Sequence, residues 1–90
     1  MHTVILPAAL RVHADGIPKV QCPGSTLDDV ISHLTRQYPG IGSRIISADN
    51  TIRRFVNIYV DDEDVRSLNG MSTPLQEGAT IIILSAVAGG

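Results

Sequence analysis

Four consecutive aliphatic residues, Ile81-Ile82-Ile83-Leu84, stand just before the last six positions of the chain. A run without alternation reads as a strand covered on both faces, the habit of a central strand with a parallel neighbour. In 90 residues that leaves few solutions. There is room for one domain and one core, and a parallel pair needs a long crossover connection somewhere earlier. The aromatics are only Tyr38, Phe55 and Tyr59, so the core has to be aliphatic.

One segment can supply the crossover. Thr26 offers an N-cap hydroxyl, and Asp28 and Asp29 follow in the first turn, where they favour the helix dipole. Leu27, Val30, Ile31, Leu34 and Tyr38 then recur at helical spacing and form one apolar stripe. Pro39-Gly40 is expected to end this helix. A short helical turn over 41–46 and a polar loop over 47–51 are expected next.

The other strands follow from turn signals. Thr3 to Leu6 is apolar and bounded by Pro7, and is expected to be covered on both faces. Ala14-Asp15-Gly16 marks a turn. Ile17 to Cys22 alternates, with Pro18 placing it at a sheet edge. Phe55 to Val60 also alternates, with Val56, Ile58 and Val60 on one face. Asp61 to Asp64 reads as an acidic turn. Leu68 to Thr73 is expected to be a short fourth strand despite Gly70, and Pro74 to Gly78 a turn. The resulting order is β-β-α-β-β-β. Its compact solution is an α+β fold of the β-grasp, or ubiquitin-like, type: a mixed five-stranded sheet with one main helix on one face, the first and last strands parallel at its centre. Residues 1–84 make the domain and residues 85–90 a C-terminal arm.

Several function classes are excluded on composition. Net charge is −2 and the seven Lys and Arg residues are scattered, so no basic surface for phosphate is implied. No apolar run approaches a membrane span and no signal sequence precedes the first strand, which predicts a cytoplasmic protein. Cys22 has no partner for a disulfide or a zinc site and reads as a packed thiol. The acids at 61–64 lack the ligand ladder of a calcium loop and read as a solvated turn. His2, His13 and His33 read as surface imidazoles. No serine lies in a nucleophile elbow, and no glycine-rich loop links a strand to a helix. The chain is therefore expected to be no enzyme, and to bind no metal or cofactor.

What remains is the end, Ser85-Ala86-Val87-Ala88-Gly89-Gly90. Two terminal glycines leave the Gly90 carboxylate unhindered. Ala88 and Gly89 are small enough to thread a narrow channel in a partner, and Val87, the one larger apolar residue, reads either as an anchor there or as one more pairing of the last strand. Gly90 is thus the candidate reactive residue, with Val87, Ala88 and Gly89 as candidate partner contacts. A β-grasp interaction module without covalent chemistry is the competing reading from another class.

The ending Val87-Ala88-Gly89-Gly90, the stretch Arg54 to Arg66 (RFVNIYVDDEDVR) and the helix opening at Thr26-Leu27 together resemble the prokaryotic sulfur carriers of the ThiS/MoaD family, in particular the branch serving actinobacterial cysteine biosynthesis. The similarity runs over nearly the whole chain. Ser85 and Ala79 depart from it, standing where such carriers often have Pro and Asp.

The resemblance implies that an E1-like enzyme adenylates the Gly90 carboxylate with ATP and that a sulfur donor converts it to a thiocarboxylate. It implies two further partners. One is a PLP-dependent cysteine synthase of the CysM type, which adds the thiocarboxylate to an aminoacrylate and leaves cysteine on Gly90. The other is a JAMM-type zinc metalloprotease that releases the cysteine. The alternative within the family is the small subunit of molybdopterin synthase.

Overall fold

The computed structural model describes residues 1–85. Its strands are β1 (His2–Ile5), β2 (Lys19–Cys22), β3 (Val56–Val60), β4 (Glu63–Asp64) and β5 (Thr80–Ser85). Its helices are α1 (Ala8–Arg11), α2 (Leu27–Gln37) and α3 (Pro39–Ile45). The strands form one sheet in the order β2-β1-β5-β3-β4. β1 and β5 lie side by side in parallel, with Val4 opposite Ile81 and Ile5 opposite Ile82. β2 is the antiparallel edge partner of β1, and β3 runs antiparallel to β5. This is the expected β-grasp sheet, with β5 at its centre.

α2 begins where its cap dictates. The Thr26 hydroxyl accepts from the Asp29 N–H, and the Asp29 carboxylate accepts from the Thr26 N–H in return. This reciprocal box satisfies two donors that the first helical turn cannot pair by itself. Leu27, Val30, Ile31 and Leu34 are buried against the sheet, and each such side chain contributes roughly 1.5–3 kcal/mol through removal from water. They meet Val4, Val20, Val56, Ile58, Ile81 and Ile83 in one aliphatic core.

α2 ends at Gln37, just ahead of Pro39-Gly40 as expected, and the short helical turn expected over 41–46 is α3, which begins at Pro39, where the missing N–H costs nothing. Tyr38 leaves the helical region ahead of it (φ −133°, ψ 83°), so the chain turns a corner between two helices. α3 can lie close against α2 because Gly42 has no side chain: a Cβ there would fall 2.4 Å from the Thr35 hydroxyl oxygen.

Three other expectations are corrected. The fourth strand is not Leu68 to Thr73. Gly70 has φ +56° and opens a 3₁₀ turn through Ser72, and the buried Thr73 hydroxyl donates to the Gly70 carbonyl. These local bonds satisfy the backbone without a ladder. The fourth strand is the two-residue β4, reached through the tight turn Asp61-Asp62, whose residues both have positive φ (48° and 73°). The acidic run is therefore half turn and half strand.

Neither β1 nor β5 is covered on both faces. Val4, Ile81 and Ile83 face the helices and are fully buried, whereas Ile5 and Ile82 are only half-buried on the other side of the sheet and Leu84 is exposed. Aliphatic character on the second face makes the run look continuous in sequence.

His2, finally, is not a surface imidazole. It is buried, with Nε2 2.7 Å from the Gly24 carbonyl and Nδ1 accepting from the Ala79 N–H at 3.1 Å. These partners fix the tautomer: Nε2 carries the proton, because only an unprotonated Nδ1 can accept.

Candidate functional site: the root of the C-terminal arm

β5 carries the last described residues, up to Ser85, and it is held from both sides. Its first residue is locked twice to the β3–β4 turn. The Thr80 N–H donates to the Asp61 carboxylate at 3.0 Å, and the Asp61 N–H donates to the Thr80 carbonyl at 2.9 Å. Its last residues pair with the start of β3: Leu84 faces Asn57 and Ser85 faces Val56. The strand thus runs one residue beyond its expected end at Leu84. Val87, Ala88, Gly89 and Gly90 lie outside the described residues.

Among the described residues, the start of β3 has no strand on its other side, since β4 reaches only Tyr59 and Val60. Arg66 fills that edge. Its Nη2 donates to the Val56 carbonyl at 2.7 Å and to the Arg53 carbonyl at 3.1 Å, while Nη1 donates to Asn57 Oδ1 at 2.7 Å. The planar fork of donors suits such a set of acceptors, which a lysine could not match. Asp64 helps place it by accepting from the Arg66 N–H. Residues 53–56 form a tight turn closed by the bond from the Val56 N–H to the Arg53 carbonyl. Arg54 and Phe55 occupy its tip, with the Arg54 guanidinium carbon 5.6 Å from the Phe55 ring centre. Arg53 is tied down separately, its Nε donating to the Ser43 carbonyl at 2.7 Å.

Sequence reasoning found the acids at 61–64 and Arg66 only as part of a motif. It assigned no role to the side chains of Arg66 or Asp61, whose partners lie 9 to 19 positions away. The acids do structural work: Asp61 and Asp64 accept backbone N–H groups. Among the described residues no group of three or more His, Cys, Asp or Glu side chains is placed to hold a metal ion. Cys22 is fully buried, and burial pushes its thiol up to about 11, which leaves no nucleophilic thiolate at neutral pH. Glu77 is held below the usual carboxylate range by the Met1 ammonium, 2.5 Å away at the exposed surface.

An open groove of about 370 Å³ lies on the helix side, lined by Asp28, Thr35, Arg36, Gly42 and Asn50 among others. No helix among the described residues is long and apolar enough to cross a membrane.

The chain matches the ThiS family over residues 4–90, which spans both the sheet and the glycine end. The chain belongs to the ThiS family. Its relatives in that family include the sulfur carrier protein CysO of Mycobacterium tuberculosis, 47% identical over 90 residues, with 98% of this chain and 97% of that protein covered. The crystal structure of Mycobacterium tuberculosis CysO superposes with a TM-score of 0.91 at 44% identity, covering 97% of this chain and all of that one. A chain of the crystal structure of the Amycolatopsis orientalis BexX/CysO complex superposes with a TM-score of 0.93 at 38% identity over the full length of both chains. This ThiS-family chain is a sulfur carrier of the CysO type for cysteine biosynthesis. It acts as a protein co-substrate and not as an enzyme.

Proposed function

We propose that the Gly90 carboxylate is the group that carries sulfur, and that Val87, Ala88 and Gly89 are the contacts by which partner active sites take it up. One observation supports this most directly. The strand leading to the glycine end is the central one, clamped at Thr80 by Asp61 and at its far end by Val56 and Asn57. A small-residue arm on a fixed base loses less entropy on entering a channel than one on a mobile base.

The chemistry runs in balanced steps. A carboxylate is a poor acyl donor, so an E1-like enzyme joins it to the α-phosphate of ATP and releases pyrophosphate. A sulfur donor displaces AMP and leaves a thiocarboxylate, which is ionised and nucleophilic at neutral pH. On a PLP-dependent cysteine synthase of the CysM type, that sulfur adds to the β-carbon of an aminoacrylate and gives an S-acyl cysteine. Once its amine is free of the cofactor, the acyl group passes from sulfur to nitrogen, breaking the C–S acyl bond and leaving cysteine with a free thiol amide-linked to Gly90. A JAMM-type zinc metalloprotease hydrolyses that amide and regenerates the Gly90 carboxylate. ATP, PLP and zinc belong to the partner enzymes.

Partner capture tests the assignment. Immobilised carrier is expected to retain a PLP-dependent cysteine synthase, and the chain lacking Gly90 is expected to give no cysteine adduct with it. Retention of a pterin-synthesising large subunit instead would move the protein to the molybdopterin branch.

A further inference from the structure

The turn Arg53 to Val56 presents the chain's only phenylalanine to solvent: Phe55 is 55% exposed. Its neighbour Arg54 lies against the ring, and no other hydrogen bond or ion pair holds that guanidinium among the described residues. Large aromatics and arginines are the side chains that dominate protein contacts when they are buried by a partner. The tip is also rigid. Arg66 bonds to the carbonyls at both ends of the turn, and Arg53 is fastened to α3 through Ser43. A preorganised tip loses little freedom on docking.

Its position gives it a partner. Phe55 directly precedes Val56, and Val56 faces Ser85, the last residue before 86–90. Five residues extend at most about 18 Å. An enzyme that receives the Gly90 carboxylate in its active site must therefore bring its surface within that distance of Ser85. The Arg54–Phe55 tip then falls inside the contact footprint.

We propose that the Arg54–Phe55 tip is a docking element for the E1-like activating enzyme that takes up the C-terminal end. Phe55 fills an apolar recess at the mouth of that enzyme's channel, and Arg54 pairs with a carboxylate on its rim. The inference rests on the carrier function proposed for Gly90, and the test separates the two. Calorimetric titration of full-length carrier into the E1-like activating enzyme reads docking without turnover. Thiocarboxylate formation by the wild type in the same preparation reads the carrier function by itself.

Phe55→Ser is expected to weaken binding by at least about tenfold, and Arg54→Glu by severalfold. The thermal midpoint of either should stay within about 3 °C of the wild type, as for other exposed positions. Arg54→Glu also guards against a folding defect in the first variant, since its side chain supports nothing else in the fold. Affinities within about twofold of wild type for both variants, or no binding by the wild type itself, would overturn the inference.

Discussion

The Arg66 guanidinium donates to the Val56 carbonyl at 2.7 Å, on the strand position that faces Ser85. One exposed side chain thus braces the pairing at Ser85, the last described residue. Replacing Arg66 by Ala removes three donated bonds at an edge where, among the described residues, no strand can substitute for them. The expected loss is about 1–2 kcal/mol, reduced by solvent access to the freed carbonyls. Hydrogen exchange should localise the effect, with faster exchange from Val56 to Ile58 and at Leu84 and Ser85 while α2 keeps its protection. Uniform loss of protection would mean that Arg66 stabilises the whole domain rather than this edge.

His2 ties three separated pieces of chain together: β1, the Gly24 carbonyl after β2, and the Ala79 N–H before β5. His2→Ala leaves the part-buried Gly24 carbonyl without its ring partner, while the Ala79 N–H keeps only its second acceptor, the Gln76 carbonyl at 3.1 Å. It is expected to cost about 1–3 kcal/mol, read as a lower urea midpoint. An unchanged midpoint would show that water replaces the ring.

Gly42→Ala places a methyl group 2.4 Å from the Thr35 hydroxyl oxygen and 2.9 Å from its Cβ. Thr35 cannot simply rotate away, because its own Cβ is in the way. Helices α2 and α3 have to separate, at an expected cost of about 1–3 kcal/mol. Gly70→Ala makes a useful contrast. Its Cβ would meet nothing within 4 Å, so any loss there comes from φ +56° alone.

Cys22 gives a pH signature. Burial raises its thiol from 9.0 to about 11 in the folded chain, so the unfolded chain loses the proton first. Its contribution to stability is complete below about 9 and declines as pH rises towards about 11. Cys22→Ala should show a shallower decline over that interval in denaturant titrations. In the wild type at neutral pH, a thiol reagent should label Cys22 only as the protein unfolds. Fast labelling under native conditions would contradict the burial.

Elements with one strong local signal were legible in the sequence. Thr26 and the stripe from Leu27 to Leu34 define α2 nearly to the residue, and the alternation from Val56 to Val60 gives β3 and its buried face. The parallel centre followed from the apolar run and the single long crossover. What escaped depends on distant partners or on competing local bonds. His2 looks like a terminal surface residue until Gly24 and Ala79 are brought to it. Leu68 to Thr73 is apolar enough for a strand, but Gly70 and the Thr73 hydroxyl settle it into a 3₁₀ turn. The segment Ala8 to Ala14 carries no clear apolar period, and its helical turns form because Leu10 and Ala14 reach the core. At the arm's root, the sequence marks the glycines, while the bracing by Arg66 and Asp61 appears only in the folded chain.

The central claim is that sulfur is carried on Gly90. Intact-mass measurement after incubation with the activating enzyme, ATP and a sulfide source tests it directly. The expected result is replacement of one oxygen by one sulfur, confined to the C-terminal peptide and absent from the chain lacking Gly90. An unchanged mass with an enzyme shown to be active on another carrier, or sulfur gained equally by the chain without Gly90, would contradict it.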